Sequence, residues 1–242
     1  MMSSPESSSP AASLCFDLHL HTKRHSGCSN LSPRRACELA LERGLHGLVV
    51  TEHRFRWPDA ELAPLRKAFP GLRLLSGMEV TLVEGHDVVL LGEALPERAP
   101  RLMHTRDLED MLAPARERVF AFVAHPFRYT DTRGKRLERI LELVDGIEMC
   151  SVNILRAGFH GSDVYVSDVS DLYEQARKDF GLVPVWATDA HSEAAVGALA
   201  TQVPGPVESM ADLVAALRRG MTQEYQNQEL LRRILFRGFD LA

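Results

Sequence analysis

Cys15-Phe16-Asp17-Leu18-His19-Leu20-His21-Thr22 is a short apolar-rich run that closes on two histidines. On a strand, residues i and i+2 point to the same face, because side chains alternate with period two. His19 and His21 therefore direct two imidazoles to one side of a strand end. Two neutral imidazoles converging there suit a metal ion, and the open strand end leaves room for water and substrate.

Four more apolar runs end the same way. Leu48-Val49-Val50-Thr51 leads into Glu52-His53, and Leu72-Arg73-Leu74-Leu75 leads through Ser76-Gly77-Met78 to Glu79. Val119-Phe120-Ala121-Phe122-Val123-Ala124 leads into His125-Pro126, and Val183-Pro184-Val185-Trp186-Ala187-Thr188 into Asp189-Ala190-His191. Each run is short and rich in β-branched or aromatic residues, which predicts a buried strand. Helical spacing lies between most of them. Ser32-Pro33, then Arg34 to Arg43 and Gly44, supplies an N-cap, a first-turn proline and a glycine stop. Similar patterns predict helices near 58–68, 105–117, 134–143, 168–180 and 207–219, with a last helical stretch at 222–237. Strands alternating with helices imply a mainly parallel sheet covered by helices, with functional groups at the carboxyl ends of the strands.

A chain of 242 residues with 45% apolar content is long enough for one large core. Residues 1–13, rich in Ser, Pro and Ala, read as a flexible tail, and 14–242 as a single domain. There is no internal repeat. The net charge of −5 offers no basic stripe, so duplex nucleic acid is not expected as a partner, and no polybasic patch marks a membrane surface. No apolar run approaches the roughly 18 residues of a membrane span. Cys15, Cys28, Cys37 and Cys150 have no CxxC spacing and read as reduced thiols of a cytoplasmic protein, Cys28 being the one near the histidine pair.

Taken together, Asp17-Leu18-His19-Leu20-His21-Thr22, Thr51-Glu52-His53, Gly77-Met78-Glu79-Val80, Ala124-His125-Pro126 and Thr188-Asp189-Ala190-His191 resemble the motifs of the PHP (polymerase and histidinol phosphatase) superfamily. They span residues 15 to about 220. The resemblance implies an α/β fold, a distorted (β/α)7 TIM-like barrel, with two to three divalent ions (manganese, zinc or iron) at the strand ends. It implies a metal-dependent phosphoesterase that uses metal-activated water on a phosphate ester of a small metabolite or nucleotide. By the same resemblance His19, His21, Glu79 and Asp189 hold one ion, Glu79 bridges to a second at His125, and His53 and His191 serve a third. Glu79, Asp189 and His191 are then the catalytic candidates.

The chain departs from the family pattern after His21-Thr22. An aspartate is usual in that loop, but here it reads Lys23-Arg24-His25-Ser26-Gly27-Cys28-Ser29, with His25 as a substitute ligand. Glu52 replaces the usual aspartate before His53. No histidine follows Leu91-Gly92, so Glu93 or water would take that place, and a two-metal centre is more secure than a three-metal one. His86, before Val88-Val89-Leu90-Leu91, is a further ligand or substrate contact, and Asp17 a hydrogen-bond partner behind the ligands. His46, His104 and His160 have no partner in the pattern. Arg128, two residues beyond Pro126, offers a planar fork for phosphate. Lys23, Arg24, Arg54 and Arg56 border the same strand ends as substrate contacts, and Asn153, past another strand end, is placed to orient substrate or a ligand.

Two other classes stay open. Amidohydrolases also place His-x-His on a first strand, but they use a bridging lysine where this chain has Glu79. A non-catalytic PHP-like module that binds metal or regulates a partner is the second.

Overall fold

Ser32 Oγ accepts from Arg35 N at 3.1 Å and Gly44 takes a positive φ of 77°, so the first helix starts and stops where its caps predict. The computed structural model describes residues 13–155, 157–160, 163–166 and 171–235. Residues 1–12 of the tail expected over 1–13, the start of the helix expected from 168, the side chain of His160 and residues 236–242 lie outside this set, and Ser13 opens the first strand. In order the elements are β1 (Ser13–Leu20), α1 (Pro33–Glu42), β2 (Gly47–Val50), α2 (Asp59–Ala68), β3 (Arg73–Ser76), β4 (Met78–Thr81) and β5 (Asp87–Leu91). There follow α3 (Thr105–Leu112), β6 (Phe120–Ala124), α4 (Lys135–Leu141), β7 (Gly146–Cys150), β8 (Ala157–His160), β9 (Asp163–Val166) and α5 (Asp171–Phe180). β10 (Val183–Trp186), β11 (Leu199–Pro204), α6 (Met210–Arg218), β12 (Gln223–Gln226) and α7 (Gln228–Leu235) are the last elements among the described residues.

The strands form two five-stranded mixed sheets, β12-β11-β1-β2-β3 and β10-β7-β6-β5-β4, besides the hairpin β8-β9. β1, β2 and β3 run parallel, as do β6, β7 and β10. β5 is antiparallel to both neighbours, because only five residues separate it from β4 and so short a link makes a hairpin. β11 and β12 add antiparallel strands beside β1. The expectation of one mainly parallel, closed barrel is thus corrected to two mixed sheets. The sheets meet at two seams: Gly77 N donates to Val50 O between β3 and β4, and Asp189 N and His21 N pair with His19 O and Ala190 O beyond β10. The helix expected over 222–237 is also split, its first part being strand β12 on the exposed edge of the first sheet.

Strand alternation sorts the core into layers. Phe16, Leu18, Val49, Leu75, Val89, Leu91, Phe120, Phe122, Val185 and Ala187 form one cluster shared by both sheets, closed below by Met210, Leu213 and Leu217 of α6. The alternate residues face outward: Leu48, Val50 and Leu74 toward α1 and α2, and Met78, Val80, Val88, Leu90 and Ile147 toward α3, α4 and α5. At about 25 cal/mol per Å², burying each large side chain contributes roughly 1.5–3 kcal/mol, so the inner cluster makes a rigid floor for whatever stands on it. What stands on it is polar. On β1, β4 and β7 stand His19, Glu79 and Glu148, and beyond the ends of β6 and β10 stand His125 and Asp189, all buried.

Candidate metal centre

His19 Nε2 lies 3.2 Å from His21 Nε2, 3.4 Å from Glu79 Oε1 and 3.4 Å from Asp189 Oδ1. His21 Nε2 lies 3.3 Å from Glu79 Oε2 and 3.4 Å from Asp189 Oδ1. An ion with ligand bonds of about 2.1 Å holds its ligand atoms roughly 3.0–3.4 Å apart, the edge of an octahedron or tetrahedron. His19, His21 and Asp189 therefore already have the spacing of one coordination sphere, with one Glu79 oxygen against each imidazole. His125 Nε2 stands 3.6 Å from Glu79 Oε1 and 3.7 Å from Asp189 Oδ2, on the other side of the same carboxylates.

Among the described residues three groups of donors come within 4.8 Å: His19, His21 and Asp189; Glu79, Asp87 and His125; and His21, Cys28, His53 and His191. The seven principal ligand candidates are all in them, His25 and His86 are not, and two residues that were not expected as ligands, Asp87 and Cys28, are. Asp87 could have been found from alternation. In β5, Val89 and Leu91 face inward, and Asp87 shares their parity, whereas His86 shares that of outward-facing Val88. His86 instead lines a cavity of about 520 Å³ with Asp87, His125, Lys135 and Arg136.

The imidazoles are oriented from behind. His19 Nδ1 is 3.0 Å from Glu148 Oε1, and a carboxylate can only accept, so Nδ1 carries a hydrogen and Nε2 is the nitrogen left to offer a lone pair to a metal. His191 Nδ1 donates to Asp189 O at 2.9 Å, which likewise frees its Nε2. Asn153 Nδ2 donates to Asp189 Oδ2 at 2.6 Å and to Asp189 O at 3.1 Å, and so orients a ligand candidate, one of its two expected roles. Asp17 accepts from Thr188 N at 3.0 Å and Thr188 Oγ1 at 2.5 Å, bolting β1 to the segment before Asp189. Burial pushes the Asp17 carboxyl up to about 7 against those hydrogen bonds. His125 and Asp189 both take positive φ, 32° and 49°, a backbone strain of order 1–3 kcal/mol per residue of the kind that collects at functional sites.

Burial alone would raise the Glu79 carboxyl, yet the charge on His19 and hydrogen bonds from His125, His19 and His21 hold it well below the usual carboxylate range. Asp189 is depressed in the same way, burial being outweighed by His19 and His21. Burial opposes charge on His19, but Asp189, Glu148 and Glu79 raise it well above the ordinary histidine value. The site is thus a buried pair of carboxylates that demands positive charge. Dications meet that demand with donor atoms already spaced for them.

Other expected residues fall elsewhere. His25 packs on Phe55 and Trp57 and pairs with Glu61 Oε2 at 2.9 Å, outside every donor group. Glu52 also stays out: it receives Thr22 N at 3.1 Å, Trp57 Nε1 at 3.2 Å and the hydroxyl of Ser26, and so fixes the loop that carries Cys28. Arg56 and Glu93 line a separate cavity of about 610 Å³ beside α2 and β3. Lys23 is exposed, and Arg54 holds Glu79 O through its backbone N–H at 2.7 Å. Arg128 Nη1 reaches 3.8 Å from Asp189 Oδ2 and its guanidinium lies over the Tyr129 ring.

The profile of the PHP-associated family matches residues 171–222, the segment that carries Asp189 and His191. No curated protein matches the chain in sequence. Among solved structures, PsfC from Pseudomonas syringae PB-5123 superposes with a TM-score of 0.64 at 19% identity, over 92% of this chain and 95% of that one. Endonuclease Q from Pyrococcus furiosus, described as lesion-specific, gives 0.61 at 13% identity over 88% of this chain, which spans only 58% of that protein. A Bifidobacterium adolescentis protein assigned as a metal-dependent phosphoesterase gives 0.50 at 16% identity, over 96% and 99% of the two chains. The PHP resemblance read from the motifs is thereby borne out, with the α/β fold.

One expectation is overturned. A structure of Endonuclease Q holds a 27-mer duplex with an abasic lesion at the active site, on a fold that superposes on this chain with a TM-score of 0.58. The exclusion of duplex nucleic acid therefore does not stand. A net charge sums buried carboxylates that metal would neutralise, and it says little about the potential at one cleft. Among the described residues no helix is long and apolar enough to cross a membrane.

Proposed function

We propose that this PHP-type chain is a metal-dependent phosphoesterase whose centre is built from His19, His21, His53, Glu79, His125, Asp189 and His191, with Asp87 added. The observation that carries the reading is the spacing of His19, His21 and Asp189, whose donor atoms sit 3.2–3.4 Å apart, with one Glu79 oxygen 3.3–3.4 Å from each imidazole. When bound, divalent ions would supply Lewis acidity toward phosphoryl oxygens and lower the pKa of water. Glu79 faces both His19 and His125 and is the natural bridge between two positions. Glu148 and Asn153 keep His19 and Asp189 aimed inward, so little reorganisation accompanies reaction. Arg128, next to Asp189, takes the phosphate, and the cavity beside His125 with Lys135 and Arg136 at its edge takes the remainder of an anionic substrate.

The ester is carried on a metabolite, a nucleotide or a nucleic-acid strand. The test is metal analysis of the purified chain, then hydrolysis in manganese, zinc and iron forms. Substrates are p-nitrophenyl phosphate, bis-p-nitrophenyl phosphate, nucleotides, sugar phosphates and a duplex bearing an abasic site. Hydrolysis of at least one phosphoester that needs added metal is expected. Tight metal binding with no phosphoester turnover in any form would overturn the assignment.

A further inference from the structure

Cys28 stands at the mouth of the centre, in the loop where an aspartate was expected. Its Sγ is 3.4 Å from His53 Nε2, and it lies within one donor group with His21, His53 and His191. The neighbours are arranged to leave lone pairs toward it. His53 Nδ1 is held by Glu79 Oε2 at 2.9 Å and His191 Nδ1 by Asp189 O at 2.9 Å, so the Nε2 atom of each is the one free to bind. His21 Nε2 is already committed to Glu79 and Asp189. The loop itself is fixed, since Ser26 is anchored on Glu52 and Ser29 Oγ donates to His21 O at 2.8 Å. Cys15, Cys37 and Cys150 are buried, which leaves Cys28 as the exposed thiol of the chain.

We propose that Cys28 is a metal ligand, completing with His53 and His191 a thiolate-bearing position at the mouth of the centre that takes zinc or iron(II) in preference to magnesium or manganese. Three protein ligands and one open position is the arrangement of a site that also binds water or substrate. A sulfur donor selects borderline-soft ions, whereas the inner His and carboxylate donors accept harder ones. The inference rests on the metal-centre reading above, but it concerns one ligand and has its own readout.

The experiment uses the full chain, stripped of metal and titrated with cobalt(II). Wild type should show a near-ultraviolet sulfur-to-cobalt charge-transfer band, and C28S should lose the band and bind about one ion fewer per chain. C28D should recover the ion without the band, which separates loss of a ligand from loss of the fold. Zinc should slow alkylation of the exposed thiol by iodoacetamide at least tenfold in wild type. Cobalt bound without a sulfur band, or C28S with wild-type stoichiometry, would overturn the ligand role and leave the inner centre standing. Absence of any metal binding would overturn both.

Discussion

Glu148 Oε1 lies 3.0 Å from Nδ1 of His19, while Glu148 Oε2 accepts the backbone N–H of His125 at 2.9 Å. One buried carboxylate thus sets the tautomer of the first histidine and the backbone position of another expected ligand. Glu148→Gln keeps the shape, but its amide nitrogen cannot accept from a donor, so one of those two bonds is lost. Metal affinity should fall about 10–100-fold, the usual cost of removing such a partner. Competition with a chromophoric chelator measures this, and unchanged affinity would show that His19 needs no support.

Glu79 faces His19, His21, His53 and His125 at 2.9–3.6 Å. Glu79→Gln is nearly isosteric but a poor bridge between two dications. Hydrolysis should drop by at least 100-fold and bound metal should fall below the wild-type ratio. The circular dichroism spectrum should stay unchanged. A variant with full metal content and normal turnover would reject the bridge.

Gly77 separates β3 from β4, and a Cβ there would overlap the carbonyl oxygen of Leu90 and lie 2.7 Å from Leu91 Cδ2. The close approach of backbone at this seam admits only glycine. Gly77→Ala should destabilise the fold by about 1–3 kcal/mol, or a fall in Tm of several degrees, read by thermal melting. A melting temperature within one degree of wild type would mean the seam can open without cost.

Much of this was legible in the sequence, and the reasons are local. His19-x-His21 and Asp189-x-His191 carry same-face spacing and each closes an apolar run, and the shared strand-end placement with the PHP resemblance put the two pairs together. Glu148 was hidden because it sits inside a strand of apolar neighbours, Ile147 and Met149, where a carboxylate gives no outward sign of its partner 129 residues away. His25 looked like a ligand by its place in the loop, yet Phe55, Trp57 and Glu61 satisfy it laterally. The mainly parallel strand order failed as an expectation because the β4–β5 link is short enough to force antiparallel pairing. That choice depends on loop length more than on the apolar pattern.

Arg128 follows the ligand candidate His125 in a turn closed by its own N–H on His125 O at 2.9 Å, and its Nη1 rests 3.8 Å from Asp189 Oδ2. At that distance the pair is a loose contact and not a bidentate bridge, so the fork remains available to a phosphate that enters beside Asp189. Tyr129, under the guanidinium, limits where the fork can swing. Arg128→Ala should raise KM for a phosphomonoester by about tenfold, equivalent to about 1.4 kcal/mol of binding, with a smaller change in kcat. Metal content should be unaffected, because a guanidinium has no lone pair to offer an ion. Arg128→Lys should recover only part of the loss, since a single ammonium cannot make the paired contact. If Arg128→Ala left KM for every phosphoester unchanged while metal stayed bound, phosphate recognition would have to pass to Lys135 or Arg136 at the edge of the cavity beside His125.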